Sequence, residues 1–125
     1  MKRGEIWTVS GGGVYSGNPR PSVVVQDDSF DRTDSITICA FTTDPTDAPL
    51  FRLPVEPSVG NGLRMHCRLM VDKITTVPKS KIGTLVGKLD YKDILRLNRA
   101  ITVFLGLAAS SNRPPARRRR GGAAA

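Results

Sequence analysis

Gly17-Asn18-Pro19-Arg20-Pro21-Ser22-Val23-Val24-Val25-Gln26 and, a short way on, Ser35-Ile36-Thr37-Ile38-Cys39-Ala40-Phe41-Thr42-Thr43 are two apolar runs, each with a polar residue at one end. The continuous valines at Val23 to Val25 predict a strand buried on both faces. The second run predicts a strand over residues 36–43. If the two pair antiparallel, the start of one lies beside the end of the other, and Arg20 and Thr42 come to the same sheet edge. A permanent cation beside a hydroxyl suits a phosphodiester.

Upstream, residues 5–10 alternate Ile6 and Thr8 with Trp7 and Val9, a strand that Gly11-Gly12-Gly13 stops. The loop from Ser10 to Pro19 carries Tyr15, Ser16 and Asn18 and is expected to be mobile. Downstream, Asp27 to Asp34 is a polar connection. Residues 50–55 alternate, with Pro54 pointing to an edge strand. A glycine-containing turn over residues 57–63 precedes strands at 67–71 and 74–77, broken at Asp72-Lys73, and a last strand at 82–89. Asp90 then starts a helix, with Asp93 in the position of a capping-box acid. Ile94, Leu97, Ile101, Phe104 and Ala108 follow helical spacing, and Gly106 marks its end. Five or six short strands and one terminal helix make a mainly β fold, a small barrel with the helix packed on it.

The chain has 125 residues, the length of one domain. Nine prolines and twelve glycines favour short strands and tight turns over a helical bundle. The formal charge is +8, but five of the nineteen basic residues, Arg113 and Arg117 to Arg120, lie in a C-terminal stretch without an acid, which leaves +3 for the remainder. A mildly cationic surface favours a polyanion, above all nucleic acid. Residues 1–108 are expected to fold and residues 109–125 to form a disordered Arg-rich tail, either a solubilising segment or a non-specific RNA anchor. Cys39 and Cys67 have no metal-type spacing and His66 is the single histidine, so no metal site or cofactor is expected. The N-terminal residues lack a signal-peptide pattern and no window is long enough to span a membrane, which predicts a cytoplasmic protein with reduced thiols.

Several segments, in order, resemble the MazF/PemK-like toxins of bacterial toxin-antitoxin systems. These are Lys2-Arg3-Gly4-Glu5-Ile6-Trp7, Arg20-Pro21-Ser22-Val23-Val24-Val25-Gln26-Asp27-Asp28, the strand end at Thr42, Phe51-Arg52-Leu53-Pro54-Val55, Asp72-Lys73-Ile74-Thr75-Thr76-Val77-Pro78-Lys79-Ser80, and Leu105-Gly106-Leu107. Their order and spacing carry the likeness. It implies an SH3-like small barrel of the CcdB/PemK type that forms a homodimer, cuts single-stranded RNA at short sequences without a metal, leaves a cyclic phosphate and is covered by a cognate antitoxin. The family's arginine and threonine at the cleavage site match Arg20 and Thr42. Tyr15, Asn18, Thr43 and Lys73 are the candidate RNA contacts.

Metal-free cleavage needs a proton acceptor for the 2′-hydroxyl, a donor to the leaving oxygen and positive charge on the phosphate. One histidine per chain excludes a two-histidine mechanism within a subunit. Arg20 suits the phosphate clamp and Thr42 a hydrogen bond to a phosphate oxygen. A guanidinium stays protonated across the physiological range, which makes an arginine a poor base, and the sequence does not identify the acceptor. The first loop, Gly13-Val14-Tyr15-Ser16-Gly17, lacks the acid many relatives carry there, and Lys73 stands where a glutamine is common.

Each residue also has a plainer role. Arg20 can be a solvated strand start, Thr42 a turn-forming hydroxyl, Lys73 the surface partner of Asp72, and His66 a surface or dimer-edge residue. Two rival functions use the same barrel. A gyrase-binding toxin uses the end of the terminal helix, typically with a tryptophan there, whereas Trp7 lies in the first strand. A plain RNA-binding barrel predicts affinity without cleavage. The RNA sequence read is expected to depend on the loops at residues 10–19 and 44–49.

Overall fold

Val23 and Val24 point to opposite faces of their strand, and each meets a separate apolar cluster, which sets the layering of the molecule. In the computed structural model, which describes residues 1–10 and 19–108, the elements are β1 (Glu5–Val9), β2 (Arg20–Val24), β3 (Ser35–Thr42), β4 (Arg52–Val55), β5 (Cys67–Met70), β6 (Thr75–Pro78), β7 (Ile82–Lys88) and α1 (Tyr91–Phe104). The strands run β4-β5-β3-β2-β1-β7 across one antiparallel sheet, with β6 added alongside β3. The architecture is mainly β with one C-terminal helix, a bent sheet of the small-barrel kind rather than a fully closed cylinder.

Seven strands are seen among the described residues, one or two more than the sequence pattern suggested. Short 3-10 turns at Val71–Lys73 and Lys79–Lys81 separate β5, β6 and β7. The break expected at Asp72-Lys73 is the first of these. Strand ends differ from the expected ones by a residue or two. For example, β2 starts at Arg20 because its pairing with β1 runs on through Pro21 and Arg20.

β3 bends the sheet. Its first half pairs with β6, Ser35 to Ile38 against Pro78 to Thr75, and its end pairs with β5, Phe41 with Leu69 and Thr42 with Arg68. The other edge of β3 takes β2. Pro54 sits on the outermost strand β4, where its missing N–H costs no ladder bond. Ile6, Val23, Phe41, Val55, Leu69 and Leu97 form the main core between the sheet and α1. Val9, Val24, Ile36 and Ile38 form a second cluster, packed by Trp7, Val77 and Ile82.

α1 begins as its sequence dictates, with the Asp90 carboxylate accepting from the Asp93 N–H at 2.8 Å. The Asp93 carboxylate pairs with Arg96 at 2.7 Å. At the other end Gly106 adopts φ +73° and the Leu107 N–H donates to Thr102 C=O at 2.8 Å, a Schellman closure. Leu97 is fully buried, whereas Phe104, whose ring lies 6.2 Å from that of Phe51, is exposed, and Ala108, read as part of the same stripe, is exposed because the helix ends at Phe104, before it.

Two polar devices hold the loops. Arg52 donates to both Asp72 oxygens, at 2.9 and 3.1 Å, tying β4 to the turn after β5. The partner of Asp72 is therefore Arg52 rather than Lys73, since a planar fork can satisfy both carboxylate oxygens and Lys73 points into solvent. Asn61, nearly fully buried, is the second device. Its Oδ1 accepts from the Ser58 and Leu63 N–H groups at 2.9 and 3.0 Å, and its Nδ2 donates to Glu56 C=O at 2.8 Å.

Hydrogen bonds from Arg52 hold the Asp72 carboxyl below the usual carboxylate range. The folded chain thus binds fewer protons there than the unfolded one, and the pair contributes stability above the unfolded value of about 4. Asp72→Asn is expected to lower the unfolding free energy by about 1–2 kcal/mol at pH 7. The gap to the wild type should close as the pH falls below about 4, as read by urea titrations across pH. Asn61→Ala strands buried backbone groups and should cost about 1–3 kcal/mol at any pH in the same titrations.

Candidate functional site

Antiparallel pairing of β2 with β3 sets Ser22 against Ala40, Val23 against Cys39 and Val24 against Ile38. Carried two positions further, that register places Arg20 opposite Thr42. Both residues line one groove of about 850 Å³ together with Thr8, Pro21, Phe41, Thr43, Leu63, Arg64, Met65, Cys67 and Val86. The meeting of Arg20 and Thr42 expected from the sequence is thus present, and Thr43 joins them.

The groove floor is the end of the main core, where Phe41 and Cys67 are buried. Burial pushes the Cys67 thiol up to about 11, so it is a neutral, apolar surface at pH 7. Arg20 is exposed at the rim. Thr42 does serve the turn, since its Oγ1 accepts from the Asp44 N–H at 3.1 Å. A hydroxyl used as acceptor keeps its hydrogen for a donor role.

The Asp44 carboxylate accepts from the N–H and Oγ1 of Thr46 at 3.0 and 2.8 Å, which holds it below the ordinary carboxylate range. Arg68, paired across from Thr42, reaches Asp44 C=O at 3.4 Å. None of residues 44–49 is among the groove residues. It is Gly62 to Met65 that forms the wall opposite Thr42.

Thr8 reaches the groove because the β1–β7 register slips on either side of Trp7. Its Oγ1 accepts from the Thr84 N–H at 2.8 Å, and a Cβ on Gly83 would come within 2.5 Å of that oxygen. Lys73, in the turn before β6, is exposed and is not among the groove residues. Tyr15 and Asn18 lie outside the described residues. His66 is exposed, with Nδ1 at 2.6 Å from Glu56 Oε2.

The sequence reading missed Thr8, Leu63, Arg64, Met65, Cys67 and Val86. Only Thr8 carried a signal, being the polar residue on the Ile6 face of its strand. None of the described groove residues is acidic. Nor do the described residues include a cluster of three His, Cys, Asp or Glu side chains able to hold a metal. No helix among the described residues is long and apolar enough to cross a membrane.

Residues 2–105 match the family described as PemK-like, MazF-like toxin of type II toxin-antitoxin system. The chain belongs to this family. A protein of Mycolicibacterium smegmatis named "Probable endoribonuclease MazF" is 49% identical over 108 residues, covering 86% of this chain and 99% of its own. Among solved structures, an endoribonuclease in complex with its cognate antitoxin from a mycobacterial species superposes with a TM-score of 0.71 at 20% identity, covering 88% of this chain and 99% of that one. The Mycobacterium tuberculosis toxin MazF-mt6 gives 0.71 at 20% identity over 84% and 99%. A MazE-MazF structure from Deinococcus radiodurans gives 0.68 at 14% identity over 86% and 97%. At such identities the superpositions establish the MazF-type fold, a mainly β small-barrel arrangement with one C-terminal helix, in line with what the family resemblance implied.

In this MazF-like toxin the cation and the hydroxyl sit on strand ends, Arg20 exposed and Thr42 half-buried. Arg20→Ala and Thr42→Ala should each change the unfolding free energy by less than about 1 kcal/mol. Thermal melting checks this, and a larger loss would mean that these residues serve the fold.

Proposed function

We propose that this chain is a sequence-selective, metal-independent endoribonuclease toxin acting on single-stranded RNA, neutralised by a cognate antitoxin. The observation that carries the reading is the convergence of Arg20 and Thr42 in one carboxylate-poor groove, in a chain of this family. In the proposed step the 2′-oxygen bonds to phosphorus as the bond to the 5′-oxygen breaks, leaving a 2′,3′-cyclic phosphate and a 5′-hydroxyl. Arg20 holds the phosphate oxygens bidentately while negative charge grows on them, and Thr42 donates to one of the same oxygens. With the Cys67 thiol up at about 11, that group is not the anionic base at neutral pH.

In this reading residues 1–108 are the toxin domain, the protein acts in the cytoplasm and Tyr15, Asn18, Thr43 and Lys73 lie along the RNA path. A homodimer is part of the proposal. It is supported by the exposed apolar end of the helix, where Val103, Phe104, Leu105 and Leu107 are all at least 45% exposed.

The test is incubation with a long single-stranded RNA in EDTA, followed by mapping of the cut ends. Discrete cuts are expected, reduced about 100-fold to 1,000-fold by Arg20→Ala and by Thr42→Ala. RNA that is bound but intact would instead support the plain binding barrel, and cutting only when Mg²⁺ is restored would contradict the metal-independent step.

A further inference from the structure

Two glycines let the loop before β5 lie directly on β7. Gly62 adopts φ +69°, and a Cβ there would meet Val86 C=O at 2.3 Å; a Cβ on Gly87 would meet Asn61 C=O at 2.4 Å. Backbone bonds close the contact, with Gly62 N–H donating to Ser58 C=O at 3.0 Å and Lys88 N–H to Gly60 C=O at 3.0 Å. Buried Asn61 then fixes the next residue through the Leu63 N–H. The loop is held at both its turn and its exit, and it carries Leu63, Arg64 and Met65 into the groove that Arg20 and Thr42 share.

Of the side chains presented there, Leu63 packs against the main core and Arg64 and Met65 do not. Met65 is 57% exposed and Arg64 is exposed, whereas Leu63 is half-buried behind them. An exposed apolar face on a fixed backbone, next to a cation and facing hydroxyls of Thr8, Thr42 and Thr43, matches what an unstacked base and its phosphate require. Methionine adapts to flat π surfaces, and a wall already held in place loses little freedom on binding.

We propose that Leu63-Arg64-Met65 is a base-reading wall. Met65, backed by Leu63, packs against one nucleobase beside the scissile bond and so sets the preference at that position. Arg64 pairs with the adjoining phosphate and contributes affinity without sequence preference. The proposal rests on the part of the proposed function that has single-stranded RNA occupying this groove.

The test uses the full-length protein and a random RNA library fully 2′-O-methylated, which binds without being cut through the 2′-oxygen. The wild type is expected to enrich a short motif. Met65→Ala should lose the preference at one position of it, and Met65→Leu should keep it. Arg64→Ala should enrich the same motif, bind it at least about fivefold more weakly, and show a salt slope smaller by about 0.7, the equivalent of one phosphate on a single strand. Both side chains are exposed, so melting temperatures should stay at the wild-type value.

An unchanged motif with Met65→Ala, an unchanged salt slope with Arg64→Ala, or no motif for the wild type would each overturn the proposal. If the motif is enriched and lost as described while unmethylated RNA stays intact, the wall stands and the endoribonuclease reading falls.

Discussion

The pairing of β3 on both of its edges is the constraint on which the rest depends. One edge is shared by β6 and β5, and the other takes β2. Since β6 covers the first half and β5 the end, the sheet has to bend along β3, and the main core fills the concave side. The β2 register then leaves no choice about where Arg20 arrives: it stands at the rim opposite Thr42, above Phe41 and Cys67. A one-residue slip would turn Val23 and Val24 onto the wrong clusters, so the two apolar clusters that stabilise the fold also enforce the geometry of the site.

The groove joins a hydrophobic floor to a cationic rim. Its described lining contains two arginines and three threonines but no acid. The nearby carboxylates are engaged elsewhere: Asp44 within its own turn, Asp72 on Arg52, and Glu56 beside His66. With no acid in the described lining, its two arginines favour an approaching phosphate, although the formal charge of the body is only modestly positive. The rigid loop on β7 and the bulged Thr8 complete the groove from strands far apart in the chain.

Much of this was legible in the sequence. The valine run and the β-branched run named the central strands, Pro54 named the edge, and Asp90 with Gly106 bracketed the helix, because these signals are local. Arg20 and Thr42 could be placed together because an antiparallel pair links strand start to strand end. The opposite wall could not be read this way. Gly62 and Gly87 act by contact between segments remote in sequence, and Asn61 looks like any turn residue until its burial is known. Asp72 looked like the partner of its neighbour Lys73, but the fork of Arg52 reached it across the sheet. The loop at residues 44–49, expected to take part in recognition, is tied within itself by Asp44 and Thr46 and is not among the groove residues.

The central claim is that Arg20 and Thr42 act on one phosphate at one moment. A double-mutant cycle on single-turnover RNA cleavage tests it directly, comparing Arg20→Ala, Thr42→Ala and the double variant. Shared action predicts that the double variant is hardly slower than the worse single variant. Rate losses that simply multiply would show two independent roles and contradict the account.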